Sequence, residues 1–369
     1  MFSNDAFIKY AHNKNKFLNK TEEKSKSFVY LKFGFEKENK EKKIESFKSE
    51  ISKDKFYSIG NKEKIQNMSG IFSSVEKADE YVKNLTPYSF IIWAKFELKQ
   101  PYFSRDDDEF YIISNSILKE KAFKIPMIRG SGWKGSLARS FKELMNDSFG
   151  EIGGSNILNL IDSYFRIFGD GSEYVKNLEE YLSKKLENKN RNLDELKDTL
   201  FKLLLFELGI QLSSERIKKI KEARDEEEVF KIFRKEYYSK IEEMKTRKGR
   251  AIFYPTYFDK LSLEVINPHS RKTRAGTKPI HYEVVPEGTE GILQIVYIPF
   301  DGVLRKDNII EGETKKDLEN LLLALEKLSE VGIGAKTKLG WGTFEFQERF
   351  YCTNEGLKME HEGWSKCQV

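Results

Sequence analysis

The sequence predicts an α+β protein that carries a large helical insertion, and three observations support this prediction. Ser89–Leu98 is rich in β-branched and aromatic residues, as strands are, and a glycine-rich turn and a helix follow it. Residues 154–244 then show 3.6-residue apolar spacing without a strand pattern. Strand character returns at Gly249–Phe258, and a last strand ends near Phe346. Strands and helices are thus segregated, which argues against repeated βαβ units.

The composition is that of a folded protein with a highly charged surface. The 369 residues are enough for two ordinary domains or for one domain with a large insertion. Hydrophobic residues make up 39% of the chain and charged residues 33%, which argues against a disordered chain. The 64 basic residues barely exceed the 59 acidic ones, giving a net charge of +5. An anion-binding face must therefore come from local clustering of charge.

The cysteines and the lack of long apolar runs predict a cytoplasmic protein. Cys352 and Cys367 lie 15 positions apart, with His361 between them. Two cysteines supply too few ligands for a structural zinc site, so we interpret them as free thiols in a reducing cytosol. The N-terminus has no apolar core of signal-peptide length, and no run approaches the roughly 20 apolar residues of a membrane span. We therefore expect no membrane partner.

Local patterns predict the remaining elements. Ser27–Phe35 alternates as a strand does, and further strands are predicted at Leu261–Ile266 and Gly291–Phe300. The helix that follows has Thr314 as its predicted N-cap and Gly332 as its C-terminal stop. The predicted organisation is a charged N-terminal extension, part of the core or packed on it, over residues 1–84, a first core part over 85–153, a helical insertion over 154–245, a second core part over 246–350 and a tail over 351–369.

The glycine-rich turn, "IRGSGWKGSLAR" (residues 128–139), matches the dinucleotide-binding pattern G-x-G-x-x-G in its letters. Pro126 and Arg129 are poor residues for the buried strand that should precede such a turn. Trp133 would obstruct a cofactor, and no strand ending in an acidic residue follows. A P-loop needs Gly-Lys-Ser, whereas residues 133–136 are Trp-Lys-Gly-Ser. The sequence therefore argues against both nucleotide sites.

The same turn is suited to holding phosphate groups of a polymer. Its glycines let backbone N–H groups converge at the positive end of the following helix, which Ser131 can cap. The alternative is that the glycines serve close packing of helix on sheet, and the composition leaves both open. The candidate phosphate contacts are Arg129, Ser131, Gly132, Lys134 and Arg139.

Three segments resemble the RAMP superfamily, which comprises RNA-binding subunits of CRISPR effector complexes. "PMIRGSGWKGSLAR" (126–139) is similar to the superfamily motif Pro-x-Ile-Pro-Gly-Ser-Ser-Leu-Lys-Gly-x-x-Arg. "VGIGAKTKLGWGTFEF" (331–346) resembles the C-terminal glycine-rich signature. The stretch from Glu264 to Phe300 resembles the segment that leads into a core strand. Residues 1–84 and the helical insertion match no part of the pattern.

The resemblance implies a modified ferredoxin-like (RRM-like) RAMP fold and membership of a type III effector complex in antiviral defence. It implies guide RNA, target RNA and other RAMP subunits as partners. It implies no cofactor, with Mg²⁺ needed only if the chain is a nuclease. Backbone-type and end-of-filament subunits both stay open.

Departures from the family pattern bear on catalysis. Slicing backbone subunits carry an aspartate upstream of the proline that precedes the turn, and this chain has Ser114 or Asn115 there. Neither can hold a metal or act as a base as a carboxylate can. Asp106, Asp107 and Asp108 lie nearby and are candidate substitutes, although a solvated acidic loop is the favoured interpretation.

A second cationic cluster lies in the loop "NPHSRKTRAGTK" (267–278), which contains no acidic residue. Its cations would repel one another unless an anion is bound, so we predict RNA contacts there. His269 is a candidate base for metal-free RNA cleavage, because neighbouring cations favour the neutral imidazole. A simple contact role for His269 is the more ordinary interpretation. The predicted contacts are His269, Arg271, Lys272 and Arg274, together with Lys336 and Lys338 of the last glycine loop.

Three functions therefore stay open. The first is a binding subunit that grips guide RNA or the guide–target duplex. The second is an endoribonuclease that cleaves target or precursor guide RNA. The third is a stand-alone single-strand RNA-binding module. The resemblance favours the first, and binding over catalysis.

Overall fold

The chain divides into two compact units. One comprises Met1–Ser140 and Ile252–Val369, and the other comprises Phe141–Ala251. The predicted strand at Ser27–Phe35 lies outside the described residues. The computed structural model describes residues 57–58, 60–106, 115–148, 155–169, 197, 214–225, 228–229, 231–232, 248–269, 276, 279–300, 307–354, 357, 359 and 361–367.

Ten strands and six α-helices are described. The strands are β1 (Tyr57–Ser58), β2 (Phe90–Leu98), β3 (Met127–Ile128), β4 (Ala251–Phe253), β5 (Thr256–Tyr257), β6 (Lys260–Ile266), β7 (Ile280–Val284), β8 (Glu290–Tyr297), β9 (Phe344–Thr353) and β10 (Ser365–Lys366). The helices are α1 (Lys62–Met68), α2 (Val75–Lys83), α3 (Gly130–Ser148), α4 (Ser155–Phe168), α5 (Ser214–Glu222) and α6 (Asp307–Val331). In this part of the chain, no helix is both long and apolar enough to cross a bilayer.

The main sheet has ferredoxin-like topology. Its five strands stand in the order β10-β9-β2-β8-β4, and β2 pairs antiparallel with both β8 and β9. Without β10, the chain runs β2-α3-β4-β8-α6-β9 while the sheet order is β9-β2-β8-β4. This connectivity is the split βαβ arrangement of ferredoxin-like folds. The predicted α+β class and ferredoxin-like core are confirmed.

Two smaller sheets adjoin the main one. β1, β6 and β7 form a three-stranded antiparallel sheet, and β3 pairs with β5. The single strand predicted at Gly249–Phe258 is in fact two strands, β4 and β5, separated at Tyr254 and Pro255. Pro255 has no N–H to donate to a ladder, which accounts for the break.

Strand β2 supplies the centre of the core because its side chains are buried on both faces. Phe90, Ile92 and Phe96 point to one face, and Ile91 and Trp93 point to the other. Removal of this much apolar surface from water is the main force that stabilises such a sheet.

Helices α1 and α2 lie on the second face of the main sheet. Ala78 and Val82 of α2 are fully buried in a cluster with Ile91 and Trp93. The Trp93 indole Nε1 donates a 2.9 Å hydrogen bond to the carbonyl of Phe72. We call this covering segment, residues 62–83, the helical cap.

A buried glutamine of β8 ties the helical cap to the sheet. The Gln294 Nε2 donates to the carbonyl of Gly70 at 3.0 Å, and its Oε1 accepts the Phe72 N–H at 2.8 Å. Open RRM-like sheets bind bases by stacking them on exposed aromatic residues. Here the centre of that face is closed by protein.

Two predicted helix starts need correction. The helix after β8 begins at Asp307, so Thr314 is a fully buried residue inside α6 rather than its N-cap. In α3, the carbonyl of Arg129 accepts the N–H groups of Gly132 and Trp133, so Arg129 precedes the helix and Ser131 lies in its first turn. The predicted stop at Gly332 is confirmed, with φ at 88°.

The second unit contains the C-terminal part of α3 together with α4 and α5. Phe141 of α3 packs edge-on against Tyr164 and Phe168 of α4, with ring centroids 6.2 and 5.4 Å away. An antiparallel bridge pairs Gly169, which directly follows α4, with Lys248, which lies shortly before β4. The predicted insertion boundaries, 154 and 245, stay predictions, and much of that range lies outside the described residues.

The prediction of two free thiols was wrong, since Cys352 and Cys367 form a disulfide. β10 pairs parallel with β9, with Lys366 opposite Tyr351. This register sets the next residues, Cys367 and Cys352, side by side with their Cα atoms 4.9 Å apart. The spacing of 15 residues gave no sign that the tail returns to the sheet.

Candidate nucleic-acid interface

The buried side chain of Trp133 anchors the glycine turn to the core. Its side chain is fully buried, and its Nε1 donates a 3.0 Å hydrogen bond to Thr256 Oγ1. Its ring meets Phe96 and Phe344 edge-on. The bulk that argued against a cofactor pocket therefore fills the core beneath the turn.

The three glycines of the turn serve different purposes. Gly130 lies so close to the carbonyl of Phe253 that a Cβ atom there would clash with it. A Cβ at Gly135 would meet nothing within 4 Å. Gly132 is exposed, and a Cβ there would make an ordinary 3.5 Å contact with Ile128. Close packing therefore accounts for Gly130 but not for Gly132 or Gly135, and the phosphate-binding interpretation of the turn stays a prediction.

Cations and free space surround the start of α3. Arg129 and Ser131 are exposed, and Lys134 is half-buried. The first N–H groups of an α-helix have no partner within the helix, so the turn offers donors to an anion. Burial lowers the pKa of Lys134. A phosphate beside Lys134 would offset that desolvation cost.

Arg139 has a different position from the other predicted contacts. Its Nη2 donates a 2.7 Å hydrogen bond to the carbonyl of Gly332 at the end of α6. Arg139 therefore links α3 to the last glycine loop.

The last glycine loop, residues 332–342, folds against the chain segment that leaves β2. The N–H of Gly342 donates to the carbonyl of Pro101 at 2.9 Å, and the N–H of Ala335 donates to that of Phe103 at 2.8 Å. Gly334 and Gly342 have φ values of 90° and 76°, and a Cβ on either would clash with a backbone carbonyl. The glycine pattern thus reflects left-handed backbone pressed against its neighbours.

Buried Tyr102 is the point at which the turn and the last loop meet. Its hydroxyl donates to the carbonyl of Met127, 3.4 Å away, just before the turn. Its ring lies against Gly334 of the last loop. Burial raises the pKa of the Tyr102 phenol, while nearby Arg129 lowers that pKa.

The lysines of the last loop are both exposed. Lys336 has left-handed backbone, with φ at 66°, and its Nζ lies 5.3 Å from the ring centre of Tyr282. Tyr282 belongs to β7, which begins directly after the predicted cationic loop. Lys338 lies in the 3₁₀-helix Thr337–Leu339. The last loop therefore contacts both the turn and the strand that follows the cationic loop.

The cationic loop is described only in part. His269 is exposed and forms an antiparallel bridge with Gly276 at the end of the β6–β7 hairpin. Arg271, Lys272 and Arg274 lie outside the described residues, so their predicted contacts stay predictions.

The predicted acidic site is also described only in part. Asp106 is half-buried, its N–H donates to the carbonyl of Ser116 at 3.0 Å, and Arg105 bridges Ile117. Asp107 and Asp108 lie outside the described residues. Within the described part of the chain, no three metal-ligating side chains converge at Asp106. Catalytic roles for the three aspartates stay predictions.

Nothing in the sequence indicated the buried ion pair that holds residues 115–119 against β7. Lys119 contacts Glu283 of β7, and both side chains are at most 2% exposed. The same carboxylate accepts the N–H of Ile117 at 3.0 Å, and Asn115 donates from its Nδ2 to the carbonyl of His281 at 3.1 Å. In the sequence Lys119 is one lysine of "LKEK", and only its position opposite a strand distinguishes it.

Four predicted contacts share one property. Among the residues that the structure describes, none forms an ion pair with Arg129, Lys134, Lys336 or Lys338. Other lysines of the same unit do have carboxylate partners, including Lys95 with Glu348 at 2.7 Å. Cations left without acidic partners around one cluster of backbone N–H donors form a surface that can bind phosphates.

The chain is similar to one family model and to solved structures. The model of the RAMP superfamily matches residues 95–345, about two thirds of the chain. A chain of the type III-B Cmr-beta complex bound to cognate target RNA is 13% identical, with 95% of this chain and 88% of that chain covered and a TM-score of 0.42. Cmr6 from Pyrococcus furiosus is 15% identical, with 70% and 98% covered and a TM-score of 0.30. No curated protein matches the sequence.

Proposed function

Because the chain belongs to the RAMP superfamily, we propose that it is an RNA-binding subunit of a type III CRISPR ribonucleoprotein in antiviral defence. In this proposal it grips guide RNA, or the guide–target duplex, through the sugar-phosphate backbone. The observation that carries the proposal is the set of four cations without carboxylate partners around the turn and the last glycine loop.

The geometry supports phosphate contacts in preference to base stacking. The helical cap occupies the sheet face on which RRM-like proteins stack bases, and Trp93 there is buried. The four cations lie instead at the start of α3 and in the last glycine loop, and Tyr102 and the bond from Arg139 to Gly332 hold these two glycine segments together. RNA binding of this kind depends on charge and on the number of phosphates contacted.

Substitution of the cations tests the proposal. We expect Lys134→Ala and Lys338→Ala each to weaken binding of the full chain to labelled single-stranded RNA, because each removes a cation that has no acidic partner among the described residues. The matched control is Lys95→Ala, because Lys95 is also a partly exposed lysine of the sheet unit but is paired with Glu348. Fluorescence anisotropy at low salt measures the affinities. Equal affinity for Lys134→Ala, Lys338→Ala and the unaltered chain would contradict the proposal.

The same preparation addresses the endoribonuclease alternative. Asp106 and His269 both lie in segments next to those that pair with β7. This observation favours the endoribonuclease as a second candidate function. Labelled repeat RNA and target RNA are incubated with the chain, with and without Mg²⁺. Cleavage that needs Mg²⁺ and is lost in Asp106→Asn supports a carboxylate site, and metal-free cleavage lost in His269→Ala supports a base. Co-purification with other RAMP subunits separates a complex subunit from a stand-alone module.

A further inference from the structure

A second group of chemically active side chains lies away from the proposed RNA surface, beneath the helical cap. Cys352 of β9 and Cys367 beside β10 are joined next to Asp79 of α2. One ligand atom from each of the three side chains lies within 4.8 Å of the other two. Cys352 and Asp79 are buried, at 0% and 4% exposure. The only two cysteines of the chain therefore meet a buried carboxylate that is far away in the sequence.

The strands and the helix that carry these three side chains hold them close to one another. The register of β10 on β9 holds Cys367 beside Cys352, and the Cys367 N–H donates to the carbonyl of Tyr351 at 3.0 Å. Asp79 follows Val75 by one turn of α2, and the carbonyl of Val75 lies 4.0 Å from the Cys352 Sγ. We expect backbone pairing and helix packing, which do not depend on the sulfur–sulfur bond, to keep the three side chains close in the reduced chain as well.

We propose that Cys352, Cys367 and Asp79 form a binding site for a thiophilic divalent metal ion such as Zn²⁺ when the disulfide is reduced. Zinc accepts cysteine sulfur at about 2.3 Å and carboxylate oxygen at about 2.0–2.2 Å. Three ligands gathered within the observed spread can reach one ion by side-chain rotation, without movement of β9 or β10. Two thiolates and a carboxylate leave a position for water or another ligand.

The chemistry balances with an external thiol as the reductant. Two thiol molecules reduce the protein disulfide by exchange and leave as one small-molecule disulfide, and Cys352 and Cys367 gain the two protons. Binding of the ion then releases both protons, because metal-bound cysteine is the thiolate. The metal changes no oxidation state in this step.

Binding of a metal ion would require the loss of one existing contact, the ion pair between Asp79 and Lys83. The Asp79 carboxylate pairs with Lys83 at 2.7 Å, and the Lys83 side chain is half-exposed. The half-exposed lysine can turn into water, and because Asp79 is buried, the incoming ion must take over the neutralisation of its carboxylate. A divalent ion beside Asp79 supplies more positive charge than the ammonium group it replaces.

Metal titration of the full chain tests the proposal. The chain is reduced with a phosphine, desalted without oxygen and titrated with Co²⁺, whose thiolate charge-transfer absorption reports cobalt–sulfur bonds, and then with Zn²⁺. We expect a single equivalent of Co²⁺ to bind with that absorption and Zn²⁺ to displace it. The oxidised chain, titrated in the same way, should show no such absorption. Cys367→Ser should abolish it, and Asp79→Asn should weaken Co²⁺ binding at least about tenfold.

His361→Ala is the matched control, because His361 lies between the two cysteines in sequence but is not part of the cluster; it is half-buried and makes a 2.8 Å contact with the Glu362 carbonyl. Its titration should equal that of the unaltered chain, and circular dichroism checks that every variant is folded. The proposal is overturned if the reduced chain shows no thiolate absorption, if Asp79→Asn binds as tightly, or if His361→Ala abolishes binding. The comparison of reduced and oxidised chain needs no variant, so a folding defect cannot obscure the result.

Discussion

At the scale of single residues, glycines that look alike in the sequence have unlike surroundings. Gly130 and Gly135 both belong to the turn motif and to α3. Gly130 is pressed against the backbone of Phe253, whereas a Cβ at Gly135 meets open space. The first position therefore needs glycine for packing, and the second does not.

Alanine substitution at these two positions gives opposite expected results. Gly130→Ala should destabilise the chain by about 1–3 kcal/mol, because the added carbon must displace backbone. Gly135→Ala should stabilise it by up to about 1 kcal/mol, because alanine is a better helix former and has room there. Urea unfolding monitored by circular dichroism measures both, and an equal loss of stability in the two variants would disagree with this account.

The predicted roles of the site residues stay predictions, but their contacts within the fold can be compared with what the sequence indicated. Arg129, Lys134, Lys336 and Lys338 could be identified because glycine motifs surround them. Arg139 was predicted as a phosphate contact, but its hydrogen bond to the Gly332 carbonyl joins residues far apart in sequence. Local patterns carry no information on such a long-range contact.

At the scale of elements, the helical cap covers one face of the main sheet, so RNA bases cannot stack on the centre of that face. Gln294 looks like an ordinary polar residue in the strand "GILQIVYIPF", yet its side chain forms two hydrogen bonds to the cap. Those bonds fix the segment that leads into α2. The cap was not predicted, because residues 1–84 gave only short apolar patches and a charged composition.

Loss of the Gln294 amide should loosen the helical cap. Gln294→Leu leaves the Phe72 N–H and the Gly70 carbonyl without this partner, at a cost of about 1–2 kcal/mol. Hydrogen exchange in peptides that cover α2 should then be roughly 5–30 times faster. Gln347→Leu, at an exposed position of β9, makes the same chemical change outside the cap and should leave exchange in α2 unaltered. If both variants behave alike, Gln294 does not hold the cap.

Elements with a strong sequence pattern were predictable. Element boundaries that depend on tertiary contacts were not. β2 and the glycine stop of α6 follow from composition and pattern. The start of α6 at Asp307 did not, since Thr314 resembles an N-cap while being buried within the helix. A polar residue that faces the core cannot be distinguished from a cap by its letter.

At the scale of the whole molecule, the net charge of +5 conceals how the charges are distributed. Several lysines of the described sheet unit, such as Lys83, Lys95 and Lys99, are paired with carboxylates, while no described carboxylate pairs with those at the proposed RNA surface. A protein with an almost balanced composition can therefore still present a local cationic surface.

The salt dependence of RNA binding reports how many of these cations touch phosphates. For single-stranded RNA, four contacts should give a slope of log affinity against log salt of about −3, and seven contacts about −5. The larger value would include Arg271, Lys272 and Arg274. Replacing those three together should then return the slope to about −3. A slope near zero would show that phosphates are not contacted.

The hydrogen bond from Arg139 to Gly332 has an electrostatic consequence for the approach of RNA. The 25-residue helix α6 ends there, and its carbonyl end is a negative pole that repels phosphate. The arginine neutralises that pole with a cation from α3, whose own amino end is a positive pole. Because this cation comes from the middle of α3, the end of α6 repels a polyanion less than its carbonyl groups alone would.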